Sequence, residues 1–180
     1  GNDHAFGLDH VNVAWTAGDM PAGILVPTNG IIETFDEMGE HAAGVLPWSW
    51  RTKTSDSVRT TGAYADAETA VTHAEAAPGF TAAGSYNFAS DGRRDQAVGG
   101  LTDNTQTQSV SIMARFINGT SLDVRKWDVT FDVEKYRQGT AASAVQLLYS
   151  TDGVAWNAVG TPVVFGTDTE PGATGVLHTI

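Results

Sequence analysis

The amino-acid sequence predicts an all-β protein built as an antiparallel β-sandwich. Three observations support this prediction: apolar and polar residues alternate over strand-length stretches, turn signals separate these stretches, and helical signal is thin. The composition agrees, because the chain has 20 Gly and abundant Thr but little Leu and Lys. Thr and Val suit a pleated surface, whereas Gly suits tight turns.

The clearest strand is Trp127 to Val133, where the odd positions are apolar and the even positions polar. A second stripe consists of Val110, Ile112, Ala114 and Phe116, followed by an Asn-Gly turn at 118–119. Val145, Leu147 and Tyr149 form a third, and the turn at 151–153 predicts a hairpin whose next strand opens at Trp156. Shorter candidates are Ile24–Val26, Tyr86 with Phe88, Val163–Phe165 and Val176–Ile180.

The chain divides into three parts. Residues 1–15 form an N-terminal segment, the Pro- and Gly-containing residues 16–30 are a linker, and residues 31–180 are the β-sandwich body. Within the body, residues 66–77 contain good helix formers but one sizeable apolar residue, Val71. This stretch is either one short surface helix or a long loop.

Charge and composition exclude several functions. The 180 residues carry a formal net charge of −11, which argues against binding to nucleic acid, since that affinity depends on clustered Lys and Arg. The chain has no cysteine, which excludes disulfides and a thiol nucleophile. No apolar run approaches the roughly 18 residues that a membrane-spanning helix needs. We expect a processed chain or a fragment, because neither an initiator Met nor a signal-like segment is present.

Several motifs resemble, in order, a domain of exported bacterial surface proteins. Residues 85–90 (SYNFAS), 94–99 (RDQAVG) and 148–156 (LYSTDGVAW) are similar to runs found in PEP-CTERM-type proteins and beside lamin-tail and nuclease modules. Residues 35–38 (FDEM) and 46–50 (LPWSW) resemble the opening of that domain. The resemblance covers most of residues 31–180 and implies a jelly-roll-like sandwich on an extracellular, cell-surface protein. It implies no catalytic residues.

The order of the segments departs from that domain. The resemblance implies a closing strand after residue 180, yet residues 2–13 (NDHAFGLDHVNV), at the other end, are similar to it. Three interpretations stay open: the strand closes its own body, it belongs to a preceding copy in a tandem array, or it inserts into a neighbouring subunit. A strand inserted head-to-tail propagates a filament. The alternative to all three is that this N-terminal segment is simply the first strand of an ordinary monomer.

Two sets of residues carry the insertion hypothesis. The polymerisation strand comprises Ala5, Phe6, Leu8, Val11, Val13 and Trp15. The receiving core comprises Trp127, Val129, Phe131, Val133, Val145, Leu147 and Tyr149.

The sequence supports ligand-binding sites less well than it supports strand insertion. Asp3, Asp9, Asp91 and Asp95 stand in Gly-containing segments, as Ca²⁺ ligands often do, but solvated turn aspartates explain them as well. Asp36, Glu37, Glu40 and His41 form a cluster of the kind that can do acid/base chemistry, but this stretch is equally well explained as the polar end of a strand. The five His show no zinc spacing.

Two tryptophans form a candidate glycan platform. On a strand, Trp48 and Trp50 would face the same side and stack on sugar rings, although burial in the core is the commoner role. The sequence therefore predicts a non-enzymatic structural subunit that assembles with copies of itself and needs no cofactor. The alternatives are a carbohydrate- or Ca²⁺-dependent adhesion module that contacts surface glycans, and an accessory domain of an exported hydrolase.

Overall fold

The all-β prediction is confirmed. The structure, a computed structural model, describes residues 5–17, 23–39, 44–75, 81–89, 95–137, 141–167 and 172–179. The regular structure of these described residues is almost entirely β-strand, and a single three-residue turn of 3-10 helix is the helical part. The arrangement of several sheets is consistent with a sandwich-like fold.

Thirteen strands lie in the described part of the chain. They are β1 (Ala5–Ala17), β2 (Ile24–Val26), β3 (Ile31–Glu33), β4 (Trp50–Ser55), β5 (His73–Glu75), β6 (Gly84–Ala89), β7 (Gln96–Leu101), β8 (Ser109–Ala114), β9 (Phe116–Asn118), β10 (Val124–Arg137), β11 (Ser143–Tyr149), β12 (Asn157–Phe165) and β13 (Gly172–Thr179).

One large sheet and three strand pairs make up the fold. The seven-stranded sheet has the order β13-β10-β1-β7-β6-β5, and β3 pairs with β1 beside β7. The three pairs are β11–β12, β2–β9 and β4–β8. Most neighbours are antiparallel, as predicted, but β2–β9 and β5–β6 are parallel.

β10 is the longest of the described strands, and its residues alternate between buried and partly exposed positions. Val129, Phe131, Val133 and Lys135 are buried, and the residues between them are partly exposed. This period of two is the alternation that the sequence shows, and it continues past the predicted end at Val133. The β11–β12 hairpin is also where the turn signal places it, with β12 beginning one residue after Trp156.

Residues 66–75 are not an α-helix. A single turn of 3-10 helix, Tyr64–Asp66, ends where the candidate helix was to begin, and isolated bridges and β5 follow. The reason lies in the side chains: Val71 is buried, and the segment has no apolar stripe that a helix could pack against the core. Residues 66–75 are therefore a loop that ends in the short strand β5, and residues 76–77 lie outside the described part of the chain.

Two hydrophobic clusters form the core of the described residues. The larger cluster joins the sheet to the strand pairs and includes Val11, Phe35, Trp50, Val98, Phe131 and Val133. The smaller cluster is aromatic and consists of Tyr86, Phe88, Ala97 and Leu101, with Tyr136 packed against it. β1 crosses the region where both clusters meet the sheet.

Candidate strand-docking site

The N-terminal strand β1 lies in the middle of the seven-stranded sheet. Along one edge it pairs antiparallel with β10, from Ala5 opposite Arg137 to Ala17 opposite Val124. Along its other edge it pairs first with β7 and then with β3. Every strand on the β7 side is therefore joined to β10 through β1. In this structure the strand closes the sheet of its own chain, which is the first of the three interpretations.

The polymerisation strand is placed by backbone pairing and by two core side chains. Leu8 packs against the larger cluster, and Val11 is buried within it. The structure describes the other four members through their backbone partners alone: Ala5 opposite Arg137, Phe6 opposite Lys135, Val13 opposite Val129, and Trp15 opposite Trp127.

A bulge explains how Leu8 and Val11 both reach the core. The register between β1 and β10 shifts between Asp9 and Asn12, so β1 gains a residue relative to its partner. Leu8 and Val11 are three positions apart and would face opposite sides of a regular strand. The sequence carries this signal, since the apolar residues change from even to odd numbers between Leu8 and Val11, but the sequence reasoning missed it.

Gly7 brings β1 against the aromatic cluster. A Cβ at this position would lie 2.6 Å from the Cβ of Ala97, 2.9 Å from Cε2 of Tyr136 and 3.1 Å from Cδ2 of Phe88. The Phe88 and Tyr136 rings stack with centroids 4.3 Å apart. Only a residue without a side chain leaves room for this approach. Gly7 is a determinant of strand docking that the sequence did not reveal, because Ala97, Phe88 and Tyr136 are distant in the chain.

Most of the predicted receiving core lies in or against the larger cluster. Val129, Phe131 and Val133 are buried members, and Trp127, Val145 and Leu147 pack against them while partly exposed. Tyr149 differs: at the end of β11 its side chain is 39% exposed. Lys135 continues the buried face of β10, and its Nζ donates to the carbonyl oxygen of Gly166 at 3.5 Å.

The structure separates the candidate Ca²⁺ ligands. Asp3 and Asp91 lie outside the described residues, Asp9 is buried in the β1 bulge, and Asp95 is exposed before β7. Within the described ranges, no three His, Asp or Glu side chains are placed to hold a metal ion together. Elsewhere, an aspartate in a turn binds the backbone instead of a metal ion: Oδ1 of Asp103 accepts hydrogen bonds from the backbone N–H groups of residues 105–107.

Trp48 and Trp50 do not share a face. The side chain of Trp48 is 84% exposed, whereas Trp50 is 5% exposed and packs edge-on against Phe35 with ring centroids 4.8 Å apart. The expected alternation fails because these residues form a turn, in which the backbone N–H of Trp50 donates to the carbonyl of Pro47 at 2.9 Å. Ser49, between the two tryptophans, has a left-handed φ of 63°. Period-two geometry requires extended backbone.

Three carboxylates line a cleft beside this turn. Asp36 and Glu37, from the predicted acidic cluster, meet Glu33 at the end of β3, whereas Glu40 and His41 lie outside the described residues. Burial raises the pKa of Glu33 above its ordinary value, and the carboxylates of Glu37 and Asp36 push it the same way. The backbone N–H of Phe35 opposes them by donating to Oε1 of Glu33 at 2.9 Å.

Comparison with protein-family models, curated proteins and solved structures found no match to this chain. No helix in the described ranges is long and apolar enough to cross a membrane. The fold thus defines the class of protein, all-β with several sheets. A function for this class has to be argued from the position of β1 and from the surface around it.

Proposed function

We propose that the protein is a non-enzymatic structural subunit, or one repeat of a tandem array, in an extracellular filament or surface layer. Neighbouring units are linked head-to-tail when β1 of one unit occupies the sheet of the next. The observation that carries the proposal is the central position of β1, a strand at one end of the described chain that pairs with β10, β7 and β3.

Exchange of β1 between chains follows from what its removal would do. Without β1, the facing edges of β10 and β7 would lose their backbone partners, and the core around Val98 and Val133 would be exposed. Unpaired sheet edges bind extended segments by β-augmentation. The same contacts form whether the strand comes from its own chain or from a neighbour, as in domain swapping. Linker geometry and protein concentration then decide between the closed monomer and the polymer.

The extracellular location rests on the resemblance of residues 31–180 to exported surface domains. A strongly acidic surface also suits a subunit that stays soluble until its strand docks, because like charges keep free subunits apart. The adhesion module remains the alternative prediction, and the exposed Trp48 is the aromatic side chain that would serve it.

Single cysteine substitutions test the exchange directly, since the native chain has no cysteine. Val13 and Val129 are Cα partners across β1 and β10. We mix a Val13→Cys chain with a Val129→Cys chain at high concentration, oxidise, and run non-reducing gels. Each chain then carries one thiol, so an efficient disulfide between the two variants requires β1 of one chain beside β10 of the other.

A matched control replaces the Val129→Cys partner with Ala144→Cys, an exposed position on β11. The proposal predicts a strong cross-link between the Val13→Cys and Val129→Cys chains, a weak control, and filaments by negative-stain microscopy that disappear when residues 1–15 are deleted. If the mixture cross-links no better than the control, or if the deletion leaves assemblies unchanged, the strand does not join subunits.

A further inference from the structure

Asparagine is followed by glycine at two places in the sequence, 29–30 and 118–119. An asparagine in this dipeptide can react with its own main chain, because glycine has no side chain that shields the next backbone nitrogen. The folded chain gives the two dipeptides different surroundings. The fold therefore has the means to decide which asparagine reacts.

The side chain of Asn29 is unrestrained. It is exposed in a surface turn between β2 and β3, and within the described part of the chain no side-chain hydrogen bond holds it. One local bond closes the turn, from the backbone N–H of Gly30 to the carbonyl oxygen of Pro27 at 3.0 Å. Opening this turn breaks a single bond at the surface, which is a low-energy local event.

The side chain of Asn118 is held at both ends of its amide. Its Oδ1 accepts from the backbone N–H of Thr120 at 2.9 Å and from the hydroxyl of Thr120 at 2.8 Å, and its Nδ2 donates to the carbonyl oxygen of Leu122 at 2.8 Å. The backbone N–H of Gly119 donates to the carbonyl oxygen of Val26, a buried residue of β2, at 3.1 Å. Reaction at Asn118 requires these bonds to break together and the chain to separate from β2.

We propose that Asn29 is a site of spontaneous modification, at which water replaces the side-chain amide, and that the fold protects Asn118 from the same reaction. The backbone nitrogen of Gly30 loses its proton to hydroxide and bonds to Cγ of Asn29. The Cγ–Nδ2 bond breaks, and the amide leaves as ammonia. Water and hydroxide are the only co-reactants.

Water then opens the five-membered ring in one of two ways. Cleavage of the bond between Cγ and the Gly30 nitrogen leaves an ordinary aspartate. Cleavage of the bond between the main-chain carbonyl carbon of Asn29 and that nitrogen leaves an isoaspartate, in which the main chain runs through Cβ and Cγ. Both products add one negative charge, and the isoaspartate also adds one methylene to the main chain.

The isoaspartate lies just before β3, the strand that pairs with β1. Ile31, two residues after Asn29, is the Cα partner of Val13. Backbone pairing depends on matched spacing along both strands, so the extra methylene should weaken the hold of β3 on β1. The modification itself does not rest on strand exchange, and either can fail alone.

The test incubates the full-length protein at mildly alkaline pH, both folded in buffer and unfolded in concentrated urea. Peptide mapping by mass spectrometry follows the two dipeptides, and an isoaspartate-specific methyltransferase identifies the isoaspartate. The unfolded chain is the matched control, because there both asparagines precede glycine without tertiary contacts. Thr120→Val is the test variant, since it removes the hydroxyl that donates to Asn118. Asn29→Gln is the control variant, because its longer side chain forms a ring far more slowly.

The proposal predicts that Asn29 reacts at least about tenfold faster than Asn118 in the folded chain and that the two rates agree within about threefold in urea. Thr120→Val should accelerate the reaction at Asn118 roughly threefold, as expected for the loss of one hydrogen bond. Asn29→Gln should remove most of the charge change seen by ion exchange. Equal rates at the two sites in the folded chain would overturn the proposal, and so would a difference in urea as large as that in buffer.

The effect on β3 has its own comparison. Chains with isoaspartate, separated by ion exchange, should exchange the amide hydrogens of Ile31–Glu33 faster than Asn29→Asp chains, which have the charge without the extra methylene. Equal exchange in the two would confine the change to the turn and overturn the effect on β3.

Discussion

Replacing Gly7 by alanine tests how closely β1 is fitted to the aromatic cluster. The new Cβ would stand 2.6 Å from the Cβ of Ala97 and 2.9 Å from Cε2 of Tyr136. Carbon atoms pack best about 3.5–4.0 Å apart, so β1 or its neighbours must move by roughly 1 Å. Overpacking of a core costs about 1–3 kcal/mol, while replacement of Gly by Ala within a strand returns about 0.5–1 kcal/mol.

Because an approach of 2.6 Å lies far inside that distance, the cost falls at the upper end of the range, and the expected net loss is about 2 kcal/mol, or a fall in Tm of roughly 4–8 °C for a chain of this length. Urea unfolding followed by tryptophan fluorescence measures the free energy, and a circular dichroism melt measures Tm. Ala144→Val is the control, because it adds carbon atoms at an exposed position of β11 and should stay within about 0.5 kcal/mol of the native chain. Gly7→Ala should also reduce the disulfide cross-link between positions 13 and 129. If Gly7→Ala is as stable as the native chain, β1 does not pass against Phe88 and Tyr136.

Three further predictions concern stability. The backbone N–H of Thr107, with those of the two residues before it, holds the pKa of Asp103 below its ordinary value, so Asp103 stabilises the fold above about pH 3.9 and loses this effect as pH falls. Asp103→Asn should therefore be less stable at neutral pH and show a shallower loss of stability in acid urea titrations. Glu33 has a raised pKa, so its stabilising contribution is complete below about pH 4.3 and is lost as pH rises through the folded value. Glu33→Gln should gain stability over the native chain at pH 7 but not at pH 4 in the same titrations. Phe88→Ala should cost about 3–5 kcal/mol by urea unfolding, because the ring is fully buried and stacks on Tyr136.

Each of these three stability predictions would be contradicted by a specific result. An Asp103→Asn chain with unchanged acid sensitivity would mean that the turn is not held by that carboxylate. Equal stability of Glu33→Gln and the native chain at both pH values would mean that Glu33 is fully solvated. A loss below about 1 kcal/mol for Phe88→Ala would contradict its burial, since exposed substitutions have effects of that size.

Local pattern was enough to predict β10 and the β11–β12 hairpin. In Trp127 to Val133 the apolar or polar character of each residue shows which face of the strand it occupies, because successive residues of an extended chain point in opposite directions. Trp48 and Trp50 show where the same rule fails. Their spacing is that of one strand face, but the Pro47–Trp50 turn and the left-handed Ser49 send one ring into solvent and the other into the core.

The all-β class and the principal strands could be predicted from the amino-acid sequence. The position of β1 between β10 and β7, the contact of Gly7 with the Phe88–Tyr136 stack, and the meeting of Glu33 with Asp36 and Glu37 in one cleft required the folded chain. The difference is one of range. Alternation and turn chemistry act between residues that are close in the chain, whereas strand order, close approach of backbone to rings and the gathering of like charges depend on residues far apart in sequence.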